Sequence, residues 1–293
     1  MIYIIIISWN KLDDIVDCLN SIFESLFDGF KIIIVDNASE QEIVKTIHNK
    51  FPHVVIIENK TNLGFAEGNN IGIDYALKEG ASDILLLNND VIIDPKMIGE
   101  LFKVLHSDCK IGIVGPKVYY YGDQNILQSV GEKFDENLTL DIRANKNIDK
   151  GQFDRVEEVD FTTGCALMIK TEVIKKIGHF DPKFYMYWEE TDLCFRAKNA
   201  GYSIIYVPKA KMWHKGGAVS TPIITYYMTR NKLFFLKKHK FGSIKILKTL
   251  FGNIKTILSW SIRAKWKDKF QERNMAIKAI IDFLLNRTGR FIV

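Results

Sequence analysis

Ile2-Tyr3-Ile4-Ile5-Ile6-Ile7, closed by Ser8-Trp9-Asn10, is the stretch whose reading decides the fold. A continuous apolar, β-branched run suits a strand buried on both faces, as strands of a parallel sheet are. After it, Leu12, Ile15, Val16, Leu19, Ile22, Phe23 and Leu26 recur at helical spacing, and Asn10 is placed to cap that helix. The alternation then repeats, with strands over 31–35, 54–57 and 83–87 and helices over 41–49, 66–78 and 95–105. It predicts an α/β fold with a doubly wound, mostly parallel sheet, right-handed crossovers and helices on both faces. Shorter strands follow over 112–118, 130–134, 159–162, 166–169 and 203–207, with a helix over 188–199 and a polar surface stretch over 136–157. From Pro222 the chain reads as helix to its end.

In such sheets ligands bind outside the carboxyl ends of the strands. The polar residues that close the strands are Ser8-Trp9-Asn10, Asp36-Asn37, Asn59 and Asn88-Asn89-Asp90, so all four clusters are expected on one rim. Composition fits a large catalytic domain with an appendage: 293 residues, 47% of them apolar, supply a sizeable core. Charge divides the chain. Residues 220–293 hold 16 Lys/Arg against 3 Asp/Glu, whereas residues 1–219 hold 24 against 32. An acidic body with a basic tail points to anionic partners of the tail. Cys18, Cys109, Cys165 and Cys194 show no C-x-x-C pairing and read as buried thiols of a reducing compartment.

Four segments carry candidate chemistry. The strand Leu85-Leu86-Leu87 delivers Asn88-Asn89-Asp90 to the rim, where the Asp90 carboxylate can hold Mg²⁺ or Mn²⁺ or cap a turn. Trp188-Glu189-Glu190-Thr191-Asp192 sets three carboxylates at a helix start, behind the aromatic run Phe184-Tyr185-Met186-Tyr187. Carboxylates near apolar rings have the protonated form favoured, which suits a general base near neutral pH. In Trp213-His214-Lys215-Gly216-Gly217, the histidine is a metal ligand, a phosphate contact or a structural residue. Asn62-Leu63-Gly64-Phe65-Ala66 opens a helix with a glycine that admits an anion closely, although G-x-G-x-x-G is absent.

Taken in order, Ser8-Trp9-Asn10, Val35-Asp36-Asn37-Ala38-Ser39, Asn62-Leu63-Gly64-Phe65-Ala66, Leu87-Asn88-Asn89-Asp90, Thr163-Gly164-Cys165-Ala166, Phe180-Asp181 and Trp188-Glu189-Glu190-Thr191-Asp192 resemble the family 2 glycosyltransferases, and among them the rhamnosyltransferase-like branch. The resemblance covers roughly residues 1–240. It implies a GT-A fold over 1–219, with a nucleotide-sugar-binding half (1–115) and an acceptor-binding half (116–219), followed by a basic, amphipathic helical region over 220–293. It also implies inversion at the anomeric carbon during transfer from a nucleotide-diphosphate sugar to a hydroxyl of a glycan or lipid-linked acceptor, in surface polysaccharide biosynthesis. By the same resemblance, Asp36 contacts the nucleotide base, Ser8 and Asn10 line its pocket, and Asn62, Gly64, Asn88 and Asn89 belong to the donor site. Asp90 matches the D-x-D-type metal ligand and His214 completes the metal–diphosphate site, with Mg²⁺ or Mn²⁺ as cofactor. The base lies in the acidic segment, where Glu190 replaces the family's Asp and leaves Glu190, Glu189 and Asp192 as candidates. Gly164, Asp181 and Trp188 fall on the acceptor side. The branch suggests dTDP-rhamnose as donor.

Two rivals belong to other classes. A sugar-1-phosphate nucleotidyltransferase calls for a Gly-rich, basic loop after the first strand, which Ser8-Trp9-Asn10-Lys11-Leu12 does not supply. A catalytically inactive nucleotide-sugar-binding protein would keep the fold without the chemistry. In the tail, Leu247, Phe251, Ile254, Ile257 and Leu258 share a face, with Lys245, Lys248 and Lys255 largely elsewhere. Such a helix lies on an anionic membrane surface or packs on the catalytic domain or a second subunit, as in a homo-oligomer. No nucleic-acid module is recognisable. The opening run lacks a signal peptide's basic leader, and no stretch reaches membrane-spanning length, so the expected place is cytoplasmic or peripheral on the cytosolic face.

Overall fold

In the computed structural model, which describes residues 1–123, 125–135, 140–141, 143–216 and 221–291, Ile2–Ser8 is β1. Its side chains divide between two cores: Ile2, Ile4 and Ile6 enter one, Tyr3 and Ile5 the other. This is the period-2 alternation of a strand covered on both sides. The chain continues through α1 (Leu12–Phe23), β2 (Phe30–Asp36), α2 (Gln41–Lys50), β3 (Val55–Glu58), α3 (Gly64–Lys78) and β4 (Asp83–Asn88). Next come β5 (Val91–Ile93), α4 (Met97–Leu105), β6 (Ile111–Tyr120), β7 (Leu127–Ser129), β8 (Lys133–Phe134), β9 (Leu140–Asp141), β10 (Glu157–Val159), β11 (Ala166–Lys170) and α5 (Thr171–Ile177). Last are α6 (Glu189–Asn199), β12 (Ser203–His214), α7 (Pro222–Lys238), α8 (Ser243–Ile262) and α9 (Phe270–Leu284).

Two compact units divide the chain: Met1–Phe180 with Leu193–Gly217, and Asp181–Asp192 with Ala218–Val293. In the first, the main sheet runs β10-β12-β6-β11-β4-β1-β2-β3, with β5 on β12 and β7 on β6. Strands β1 to β4 pair in parallel, and β11 enters antiparallel to both β4 and β6. Helices α1 and α4 cover one face; α3, α5 and the end of α6 cover the other. The result is a GT-A-type doubly wound sheet with a helical C-terminal region. Helix α3 approaches the sheet closely because it presents glycine. A Cβ on Gly72 would collide with Ile5, and one on Gly68 would stand 3.0 Å from Asn37 Nδ2.

Several expectations are corrected. Asn10 does not cap α1: its Oδ1 accepts from the Glu40 amide at 3.2 Å, and the cap position is Lys11, without a side-chain bond. Helix α1 stops at Phe23, and Leu26 is exposed. The strand read over 130–134 is two short pieces, β7 and β8, on either side of Val130. Strand β12 runs on from Val207 to His214 through a register shift between Val207 and Lys211. Cys109 is exposed, unlike the other three cysteines, and burial pushes the Cys18 thiol up to about 12, leaving it inert.

In the second unit, Tyr226, Tyr227 and Ala279 form a core with Tyr185, Tyr187, Met275 and Phe291 packed on it. The segment Asp181–Asp192 therefore groups with the C-terminal helices. Helix α8 has no buried residue: Ile244, Leu247, Phe251, Ile254, Leu258 and Ile262 are all exposed along it. Among the described residues no helix is long and apolar enough to cross a membrane.

Candidate active site

Parallel pairing sets Ser8 opposite Asp36 at the carboxyl ends of β1 and β2. Both are buried, and Ser8 Oγ and Asp36 Oδ1 have no hydrogen-bond partner among the described residues. Two adjacent orphaned oxygens call for a donor from a ligand, since a buried polar atom left unpaired is costly. The other Asp36 oxygen accepts from the Ser39 amide at 2.9 Å, and Ser39 Oγ accepts from the Asn10 amide at 2.7 Å. The next clusters interlock: Asn59 Nδ2 donates to Asn37 Oδ1 at 2.9 Å, and Asn37 Nδ2 to the Gly64 carbonyl at 3.1 Å. Gly64 takes φ 81°, and its amide donates to Asn62 Oδ1 at 2.9 Å, so this first α3 amide is already taken.

The third cluster meets a residue far along the chain. Strand β5 pairs antiparallel with the end of β12, Val91 opposite His214, and the Lys215 amide donates to the Asp90 carbonyl at 2.8 Å. His214 Nε2 thereby comes within 3.1 Å of Asp90 Oδ1. The Asp90 and His214 side chains remain 27% and 16% exposed, so the pair is open to a ligand. Burial is the largest influence and raises the Asp90 carboxyl, but the His214 hydrogen bond and charge, a backbone amide and Asn88 together outweigh it and hold the group below the usual carboxylate range. Asn88 and Asn89 lead into this turn, and the Asn88 amide donates to the Cys165 carbonyl at 3.0 Å.

Gln128, which no motif in the chain singles out, orients the histidine of this pair. Its Nε2 donates to the Gly216 carbonyl at 2.9 Å, so its Oε1 is the atom 2.8 Å from His214 Nδ1. An amide oxygen there requires the proton on Nδ1. With Nδ1 protonated, His214 Nε2 either donates a second proton to Asp90 Oδ1 or, in the neutral ring, offers its lone pair to a cation beside that carboxylate. Gly216 completes the cradle, because a Cβ on it would stand 2.6 Å from Asp90 Oδ2 and 2.8 Å from His214 Nε2. Carboxylate and imidazole with open space beside them fit a divalent cation whose other ligands are waters and phosphates. Among the described residues no three His, Cys, Asp or Glu side chains form a group that could hold a metal ion by themselves. Gly217 lies outside the described residues.

The acidic segment differs in character. Burial, joined by the charges of Glu190 and Asp192, holds Glu189 well above the ordinary range, and burial pushes Glu190 up to about 6 against backbone amides that favour its charge. Glu189 Oε2 and Glu190 Oε2 have no hydrogen-bond partner among the described residues. Asp192 is fully buried, accepts from Lys238 at 2.8 Å and lies 2.7 Å from His239 Nε2, two side chains the sequence did not connect with it. Asp181 is likewise engaged, with Lys238 at 2.7 Å and the Lys183 amide at 3.1 Å. Trp188 is buried against Phe235, and its indole N–H has no partner among the described residues. Gly164 lies in the turn before β11, between Thr163 and Cys165, whose Oγ1 and Sγ stand 3.3 Å apart.

The profile of glycosyl transferase family 2 matches residues 3–178, well over half the chain. The chain belongs to glycosyl transferase family 2. It is 25% identical over 299 residues to the low-salt glycan biosynthesis hexosyltransferase Agl10 of Haloferax volcanii, covering 98% of this chain and 92% of that protein. It is 26% identical over 308 residues to the dTDP-rhamnosyl transferase RfbF of Shigella flexneri, covering 98% and 97%. Among solved structures, the Pyrobaculum calidifontis mannosyltransferase in complex with GDP-Man and Mn²⁺ superposes with a TM-score of 0.62 at 12% identity, covering 98% of this chain and 87% of that one. The protein is therefore a glycosyltransferase acting on nucleotide sugars, of the rhamnosyltransferase-like branch, and nucleotidyl transfer is not favoured.

Proposed function

We propose that this enzyme is a metal-dependent, inverting hexosyltransferase of surface polysaccharide assembly. It would move a sugar, with dTDP-rhamnose the first donor to try, to a hydroxyl of a glycan or lipid-linked acceptor. The observation that carries metal dependence is the Asp90–His214 pair, a carboxylate oxygen and an imidazole nitrogen 3.1 Å apart and partly exposed at the sheet rim, with Nδ1 held by Gln128. Bound Mg²⁺ or Mn²⁺ would neutralise charge on the departing diphosphate. The solved relative holding Mn²⁺ supports this reading. Ser8 and Asp36 offer their unpaired oxygens to the nucleotide base, with Asn10 fixing the loop beside them. Asn62 and Gly64 shape the wall, and Asn88 and Asn89 set the approach to Asp90.

Glu190 is the base. It is partly buried, its titration near 6 suits proton removal at neutral pH, and Asp192 is already neutralised by Lys238 and His239. The acceptor hydroxyl loses its proton to Glu190 as its oxygen bonds to the anomeric carbon, and the bond from that carbon to the diphosphate oxygen breaks on the opposite face. Burial and the neighbouring Glu190 and Asp192 charges favour the protonated form of Glu189. Trp188 and Gly164 belong to the acceptor side, whereas Asp181 acts by tying its own segment to Lys238. For location we propose the cytosolic face of a membrane, held by α8 against anionic lipid. Its exposed apolar residues from Ile244 to Ile262 lie in a region of 16 Lys/Arg against 3 Asp/Glu, which is the charge complement of that surface.

The test is nucleoside diphosphate release from UDP-, GDP- and dTDP-sugars, with and without Mn²⁺, alongside calorimetric binding. Asp90→Ala should abolish the metal-dependent part of donor binding. Glu190→Gln should leave binding intact and lower turnover by about 10²–10⁴-fold. Binding without release by the unmodified protein, from any donor with hydroxyl acceptors supplied, would return the chain to the inactive binding protein.

A further inference from the structure

Helix α7 lies beyond residues 3–178, the span of the family profile, yet two of its most buried side chains are polar. Arg230 and Asn231 are 1% and 0% exposed. Asn231 Nδ2 donates to three carbonyls of one loop, Phe184 at 2.9 Å, Met186 at 2.9 Å and Tyr187 at 2.8 Å. Arg230 donates through Nη2 to the Phe184 carbonyl at 3.2 Å and through Nε to Asn231 Oδ1 at 2.9 Å. That last bond fixes which end of the amide faces the loop: Oδ1 is taken by the guanidinium, so the NH₂ group points at the carbonyls.

The loop needs such holding. Tyr185, Tyr187 and Trp188 take φ of 67°, 65° and 76°, in the left-handed region that bulky residues avoid. Strained backbone of this kind persists only where its surroundings over-determine it. Local turn bonds hold the start of the loop, the Phe184 amide to the Asp181 carbonyl at 3.1 Å and the Tyr185 amide to the Pro182 carbonyl at 3.0 Å, and to these α7 adds side-chain contacts from 44 to 47 residues away in sequence. Glu189 follows Trp188 directly and opens α6, so the conformation of 184–188 sets the direction of Glu189 and Glu190. An asparagine making three bonds to one strained loop exceeds what packing of α7 alone requires.

We propose that Asn231, oriented by Arg230, is a positioning residue that holds the acidic segment in its working geometry. The C-terminal region is then part of the catalytic machinery and not an appended module. This rests on the reading of Glu190 as the base, and the experiment separates the two.

Amide hydrogen exchange of the full chain, without ligand, reads the clamp directly. In Asn231→Ala, the amides of 184–190 should exchange at least about tenfold faster while those of β1 and β4 stay protected. Nucleoside diphosphate release from the UDP-, GDP- and dTDP-sugar panel should fall by about 10²-fold in kcat. Donor KM should stay close to that of the unmodified enzyme. Adding Tyr187→Gly should restore part of kcat, because glycine takes positive φ freely; a merely structural asparagine would give no such rescue. Should Asn231→Ala fail to fold, Asn231→Ser, which keeps one donor, takes its place with the same readouts. Unchanged exchange over 184–190, or retained kcat, overturns the clamp even if Glu190→Gln is dead. Full activity of Glu190→Gln would instead remove the base assignment and leave the exchange result standing.

Discussion

Replacing Gly216 with alanine tests the metal cradle by adding one methyl group. The φ of Gly216 lies outside the left-handed region, so alanine can take the backbone conformation and the effect falls on the neighbours. The new Cβ would stand 2.6 Å from Asp90 Oδ2 and 2.8 Å from His214 Nε2. Both are short of ordinary van der Waals contact by roughly 0.7–1 Å, so the two side chains must move apart by about that much. Overpacking of a tight core costs about 1–3 kcal/mol, and partly exposed neighbours that can swing outward place this case near 1 kcal/mol. That corresponds to a Tm lower by about 2–4 °C. The functional cost should be far larger, since a displacement near 1 Å in a reacting constellation costs about 10²-fold in rate. The assay pairs thermal unfolding with calorimetry of UDP, GDP and dTDP in the presence of Mn²⁺. The expected variant is folded and slightly destabilised, with Mn²⁺-dependent nucleotide binding weakened at least about tenfold. An alanine variant that binds and turns over as the unmodified protein does would refute the placement of cation and phosphates between Asp90, His214 and Gly216.

Four further outcomes follow from the structure. Gln128→Leu removes both the bond to His214 Nδ1 and the bond to the Gly216 carbonyl, so Mn²⁺ affinity in a paramagnetic titration should fall by about 10–100-fold; unchanged affinity would show that the tautomer is set elsewhere. With Glu190 raised to about 6, turnover should climb with pH up to that value and level off above it, because only the ionised carboxylate accepts the proton. The raised value also means that the folded state favours the protonated form, a stabilisation present at low pH and lost as pH rises through about 6, so Glu190→Gln should unfold at a higher temperature than the unmodified protein at pH 7. The full chain should sediment with vesicles of phosphatidylglycerol and not with phosphatidylcholine alone, and Leu247→Glu with Phe251→Glu should abolish this; vesicle binding that survives both changes, or dimerisation that they disrupt, would assign the α8 face to other contacts.

What the sequence discloses depends on how local the cause is. Strands β1, β2 and β4 were legible because their centres are buried on both faces, and burial of that kind writes itself as an uninterrupted apolar run such as Ile2–Ile7, whereas β3 is a half-exposed edge strand. The same logic lost β12, whose apolar run stops at Val207. Pro208 and the register shift before Lys211 hide the continuation, yet that continuation carries His214 to Asp90. The three-residue strand β5, which supplies the pairing, is too short to leave a period. Asp90, His214 and the acidic segment were visible as residue types, but not their division of labour. That division is set by residues remote in sequence: Gln128 lies 86 positions from His214, and His239 lies 47 from Asp192.

The same distinction explains why three neighbouring carboxylates behave differently. Glu189, Glu190 and Asp192 share a helix start, and helix-dipole arguments alone would treat them alike. Long-range partners separate them. Asp192 receives Lys238 and His239, so its charge is compensated in full burial. Glu189 and Glu190 receive no side-chain cation among the described residues, so burial raises both, and the charges of Glu190 and Asp192 raise Glu189 further. The C-terminal helix whose Lys238 pairs with Asp192 is the one whose Asn231 grips the loop in front of Glu189, so the charge and orientation of the acidic segment trace to the same element.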